Sequence, residues 1–178
     1  MNQTNDGASP ITSVPEFLVH ALELEHESAE RYHELSQSMA LHSNPAVAML
    51  FRRLSAMSAA HAREVQGRSA GLALPRIAPW AFKWQCPGSP EVHCGDGEIH
   101  YMMTVRQALE VALLNETRGR DFYAAVGRGS PDAEVRALAV EMADEETQHV
   151  DILTAWLQKH VDQPNATLED LDPPNDLG

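Results

Sequence analysis

An all-α bundle of four antiparallel helices, built as two hairpins joined by a long crossover, is expected of this chain on three observations. Four long stretches carry apolar residues at steps of three and four, and little in the sequence reads as strand. The links inside each half are short, which forces their helices to run antiparallel. The halves also repeat weakly: a shift of 91 residues carries Glu25 onto Glu116 and Tyr32 onto Tyr123, and a shift of 88 carries His61 onto His149. Two copies of a helical hairpin are better explained as halves of one bundle than as a solenoid.

The first helix is expected over about 14–42. Ser13 and Glu16 have capping-box spacing, Pro15 suits the first turn, and Leu18, Leu22, Ala29 and Met39 form its apolar stripe. Ser43-Asn44-Pro45 stops it and starts the second helix, about 45–67, with Leu50, Leu54, Met57, His61 and Val65 in line. A third helix, about 104–127, opens on a second capping-box pair, Thr104 and Gln107, and ends at Gly127-Arg128-Gly129. The fourth, about 131–160, starts at Ser130-Pro131 and carries Val135, Leu138, Met142, His149, Leu153 and Trp156 on one stripe. Between the hairpins, residues 69–103 are rich in Pro, Gly and aromatics; Trp80, Phe82 and Trp84 are expected to pin this crossover to the helices. Residues 1–12 are expected to be a flexible start and residues 161–178 an acidic, Pro-rich tail, leaving one bundle domain over 13–160.

Composition narrows the partners. Thirteen basic against twenty-six acidic residues give a formal charge of −13, which argues against a nucleic-acid surface. No run approaches the ~20 apolar residues of a membrane span. The N-terminus has neither the basic start nor the apolar stretch of a secretory signal. Two cysteines make no disulfide scaffold, so the cytoplasm is the expected compartment. A homodimer is the default assembly, because two-fold pairs are the commonest homo-oligomers.

Chemistry enters through the residues that interrupt the apolar seams. Glu25 and Tyr32 are seven residues apart, as are Glu116 and Tyr123. Seven residues are about two helical turns, roughly 10.5 Å, so each Glu shares a face with its Tyr. His61, Glu146 and His149 fall on the seams of the other two helices. Buried carboxylates and imidazoles need partners, and a bundle that presents them on four helices commonly gives them a metal. A di-metal carboxylate bundle takes one Glu from each of two helices and a Glu-x-x-His from each of the others, because residues three apart share a face. Glu25 and Glu116 fill the single-Glu roles, and Glu146 with His149 is one complete Glu-x-x-His. The other is broken: Ser58 stands three residues before His61.

This pattern, a Glu with a Tyr seven residues on and then Glu-x-x-His, given twice over residues 14–160, resembles the ferritin-like superfamily and most closely its rubrerythrin branch. The resemblance implies a di-iron site and chemistry with peroxide or oxygen. Carried over by motif, the ligands would be Glu25, His61, Glu116, Glu146 and His149, with Tyr32 and Tyr123 orienting the carboxylates. Iron, as one or two ions, is the implied cofactor, with manganese and zinc as alternatives. Two departures matter. Ser58 removes a bridging carboxylate, so asymmetric binding is expected, with one well-held ion near Glu146. The paired C-x-x-C motifs of a rubredoxin domain are also missing from the sequence, so an external electron donor is implied. Three functions stay open: a peroxide- or oxygen-active oxidoreductase, a degenerate bundle that binds or scaffolds, and a ferroxidase. Glu64 and Glu145 share faces with His61 and His149 but are expected to face water. Cys86, His93, Cys94 and His100 match no standard zinc spacing. His20, His26, His33 and His42 read as surface residues.

Overall fold

The computed structural model describes residues 9–84, 89–93 and 99–159. Four long helices, α1 (Val14–Leu41), α2 (Pro45–Arg68), α4 (Val105–Gly129) and α5 (Ala133–Lys159), are supplemented by a one-turn helix, α3 (Pro90–His93), in the crossover. There is no strand among the described residues. α1 packs along α2 and α4 along α5, which gives the two antiparallel hairpins; α2 meets α4 and α1 meets α5 to close the bundle. The N-terminal residues 1–8, the tail from 160, and Cys86 and Cys94 lie outside the described residues, as does the side chain of His93.

Each long helix begins where a side chain takes up free backbone N–H groups. Ser13 Oγ accepts from Glu16 N at 3.4 Å, but the Glu16 carboxylate reaches past it to Thr12 N at 3.1 Å. Thr104 and Gln107 form a complete capping box, at 3.1 and 2.8 Å. Asn44 caps α2 through Oδ1, and its amide donates to Met103 O at 2.7 Å, which ties the start of α2 to the end of the crossover. The fourth long helix starts after Asp132, whose Oδ1 accepts from Glu134 N at 2.8 Å and Val135 N at 3.2 Å. Ser130, the expected start, instead donates its hydroxyl to Ile11 O at 2.7 Å and anchors the N-terminal segment.

The crossover is held by fewer aromatics than expected. Phe82 and Trp84 stack on each other at 5.1 Å, and Trp84 meets Phe122 of α4 edge-on at 5.1 Å. Trp80 is 88% exposed and pins nothing. His20, read as a surface residue, is fully buried beneath this pair, 5.0 Å from the Phe82 ring and 5.2 Å from Trp84. Its Nδ1–H donates to Glu16 O at 2.9 Å, and its Nε2 accepts from Lys83 N at 2.9 Å. Both ring nitrogens are satisfied by backbone, so the imidazole is buried without an orphaned polar atom.

The apolar core comes in two blocks. One gathers Tyr32, Leu35 and Met39 of α1, Leu50, Phe51 and Leu54 of α2, Ala108, Leu109 and Ala112 of α4, and Leu153 of α5. The other gathers Phe17, Leu18, Ala21 and Leu24 of α1, Val65 of α2, Phe122 and Tyr123 of α4, and Val135, Ala139 and Met142 of α5. On every long helix the residues between the blocks are polar or minimal: Glu25 and Ser28, Ser58 and His61, Glu116 and Gly119, Glu146 and His149. Filling such a layer with leucines would add about 1.5–3 kcal/mol each in burial. The chain forgoes that stabilisation across one whole slice of the bundle, so the slice marks a site.

Candidate metal centre

All four long helices contribute to the polar slice because each carries its polar residues one turn apart, on the face turned to the bundle axis. Glu25, Glu116 and Glu146 are buried, at 4%, 5% and 2% exposure, and Ser58 is buried at 7%. His61 and His149 are partly buried and pack against each other with ring centres 4.6 Å apart. His149 Nδ1 lies 3.1 Å from Glu116 Oε2 and 3.2 Å from Glu146 Oε2. His61 Nδ1 is 3.9 Å from Glu25 Oε1. His61, Glu146 and His149 each turn one ligand atom to a common point, all within 4.8 Å of one another.

The electrostatics are those of like charges pressed together. Burial pushes the Glu146 carboxyl up from 4.5 to about 7, with Glu116 adding to the rise and His149 opposing it. Burial alone would lower His149; its hydrogen bonds to Glu116 and Glu146 overcome this and raise it from 6.5 to about 10. His149 is thus held as the doubly protonated imidazolium, its Nδ1–H between two carboxylates, and supplies positive charge in the slice. Glu25 is raised well above the carboxylate range by burial and then by Glu146 and Glu116. His61 is lowered by burial and by His149 beside it. Carboxylate oxygens and imidazole nitrogens around one buried point suit iron, manganese or zinc, and a divalent ion would relieve the crowding that the protons now relieve. The donor set fits a metal.

Tyr32 and Tyr123 flank the slice from opposite blocks, each 1% exposed. Tyr32 Oη accepts from Asn115 Nδ2 at 3.4 Å, and Tyr123 Oη is buried without a hydrogen-bond partner. A small cleft opens beside His61, edged by Glu64, Arg68 and Glu145. Arg68 pairs with Glu141 at 2.7 Å and with Glu145 at 3.6 Å, so Glu145 is half-buried at the rim while Glu64 is exposed. His100 is exposed, and His26, His33 and His42 do not approach the centre.

One buried carboxylate was missed by the sequence reading: Glu91, on α3, at 3% exposure. It accepts a hydrogen bond from Ser28 Oγ on α1 and reaches α4 at Gly119. No periodicity announces it, since it stands in a Pro- and Gly-rich connection. The legible trace is Gly119 itself, a glycine inside a helix and three residues beyond a site Glu, where no turn requires one.

No protein-family model matches the chain, and neither does any curated protein. Among solved structures it is similar to an uncharacterized conserved protein, COG1633, from Magnetospirillum magnetotacticum MS-1. The two are 41% identical over 83% of this chain and 95% of that one, with a TM-score of 0.64. Identity at this level along nearly the whole relative carries kinship as well as shape, and the chain belongs to the ferritin-like COG1633 family.

Proposed function

We propose that the protein is a rubrerythrin-like non-haem iron oxidoreductase that reduces peroxide, or acts on oxygen, at the centre built from Glu25, His61, Glu116, Glu146 and His149. One observation carries this reading: two imidazoles and three buried carboxylates from four helices meet between two apolar blocks. Iron bound there would supply one-electron redox chemistry. The chain's own part is to hold the ligands in place, exclude bulk water with the apolar blocks, and manage protons. The Nδ1 proton of His149 and the protons on Glu25 and Glu146 must leave when a cation enters, and the same atoms can return protons to a reduced oxygen. Reduction of hydrogen peroxide to two waters consumes two protons and two electrons. A separate electron-carrying protein is the proposed source of the electrons.

The test begins with full-length protein loaded with Fe(II) without oxygen, desalted and assayed for iron, then for peroxide consumption with a supplied reductant. Bound iron and peroxide turnover are both expected, and Glu146→Gln should lower each by at least ~10-fold. A chain that retains no iron would end this reading. Ser58, standing where a bridging Glu is expected, favours one second reading, a bundle that binds metal without turnover. Full iron content without peroxide or oxygen consumption would select it.

A further inference from the structure

Glu91 enters the bundle from outside the four long helices. Its side chain comes off the crossover between α1 and α4, where Oε2 accepts from Ser28 Oγ. Its Oε1 is buried with no hydrogen-bond partner. A carboxylate oxygen in that condition carries its full desolvation penalty unless a proton or a cation meets it. Glu116, Glu146 and Glu25 all lie close enough for their charges to act on it, in that order of strength. Hydrogen bonding within the fold therefore accounts for one of its oxygens, and the other lies against Gly119 of α4.

Gly119 makes the room. It is one turn beyond Glu116 on the same face of α4. A Cβ there would overlap Glu91 Oε1 and stand 3.0 Å from Cδ and 3.2 Å from Cγ. Glycine inside a helix is destabilising relative to alanine, and Gly119 has no positive φ that would require it. The space is kept for the carboxylate.

Charge counting gives the pair a purpose. Glu25, Glu116 and Glu146 supply three negative charges, one short of neutralising two divalent ions; Ser58 accounts for the shortfall. Resting on the metal-centre reading above, we propose that Glu91 is a metal ligand delivered by the crossover, which restores the fourth carboxylate that Ser58 lacks and lets the centre hold two ions. The expected asymmetry between a filled and an empty position is then replaced by a complete pair.

The experiment uses the full chain, stripped with a chelator and titrated without oxygen with Fe(II), with bound iron counted after desalting. Wild type is expected to hold two ions per chain and Glu91→Gln one, or a second held at least ~10-fold more weakly. Gln keeps the size of Glu, can still accept from Ser28, and stays neutral without the proton that burial and the neighbouring carboxylates force on Glu91 in metal-free protein. The melting temperature of metal-free Glu91→Gln should therefore match or exceed that of metal-free wild type, which a purely structural role would lower. Gly119→Ala, which crowds the carboxylate without changing charge, should also lose the second ion and serves if the first variant does not fold. Two ions held with unchanged affinity in both variants, or a single ion in wild type, would overturn the proposal while leaving an iron centre in place. Wild type without iron would instead remove the centre itself.

Discussion

Tyr32 and Tyr123 occupy matching places in the two hairpins and share burial, yet their hydroxyls are differently served. Asn115 donates to Tyr32 Oη, whereas Tyr123 Oη has no hydrogen-bond partner. Burial and then a neighbouring carboxylate, Glu116 for Tyr32 and Glu25 for Tyr123, hold both phenols well above their usual range, so both stay protonated donors. In metal-free protein, Tyr123→Phe removes an unmet hydroxyl and should leave urea stability unchanged or raise it, by up to about 1 kcal/mol. Tyr32→Phe leaves the Asn115 amide without its acceptor and should cost about 1 kcal/mol. A larger loss for Tyr123→Phe than for Tyr32→Phe would show that the unpaired hydroxyl is not what the structure makes it. Both tyrosines were legible in the sequence because they repeat with their glutamates; the difference between them was not, since it depends on an amide 83 residues from Tyr32.

The long helices could be read from capping side chains and periodic seams, which are local signals. The crossover could not. Two of the contacts that fasten it, Lys83 to His20 and Glu91 to Ser28, each span 63 residues and each have their other end on α1. Neither leaves a periodic trace, so His20 looked like a surface residue and Glu91 like part of a loop. His20 gives the fastening a pH signature. Burial lowers its pKa from 6.5, against the pull of Glu16 and with the help of the Lys83 charge, and the neutral ring is the form that accepts from Lys83 N. The unfolded chain takes up a proton first as pH falls, so the stability His20 contributes is full above about 6.5 and declines below it, toward the folded pKa. His20→Phe keeps the ring against Phe82 and Trp84 but strands Lys83 N–H, and should cost about 1–2 kcal/mol at pH 7.5. That difference should shrink by pH 5.5. Urea titrations of both proteins at the two pH values provide the check, and a difference that grows on acidification would refute the assignment of the neutral ring.

Two hairpins that meet over a slice of buried carboxylates make an assembly whose stability depends on what neutralises the slice. In protein stripped of metal, protons do so. Glu146, raised from 4.5 to about 7, and His149, raised from 6.5 to about 10, both keep protons in the folded chain that the unfolded chain has already released. For each group the stabilisation is complete below the unfolded pKa and is lost as pH rises, between about 4.5 and 7 for Glu146 and between about 6.5 and 10 for His149. The stripped bundle should therefore weaken as pH climbs through neutrality. In the proposed centre a divalent ion would supply the missing positive charge without those protons, and would tie Glu25 and His61 of one hairpin to Glu116, Glu146 and His149 of the other. Free metal at ~100 times its dissociation constant adds about 2.7 kcal/mol. For a chain of this length that corresponds to a rise of roughly 5–11 °C in melting temperature. Because metal competes with protons, its affinity and the gap between loaded and stripped protein should both grow from pH 5.5 to pH 8. The lowered pKa of His20 also makes stability pH-dependent below about 6.5, but its effect is common to both forms and cancels in the difference. Paired thermal melts with Mn(II), which avoids oxygen chemistry, measure that gap directly; one that is constant or narrows toward pH 8 would mean that the protons on Glu146 and His149 are not what the ion displaces.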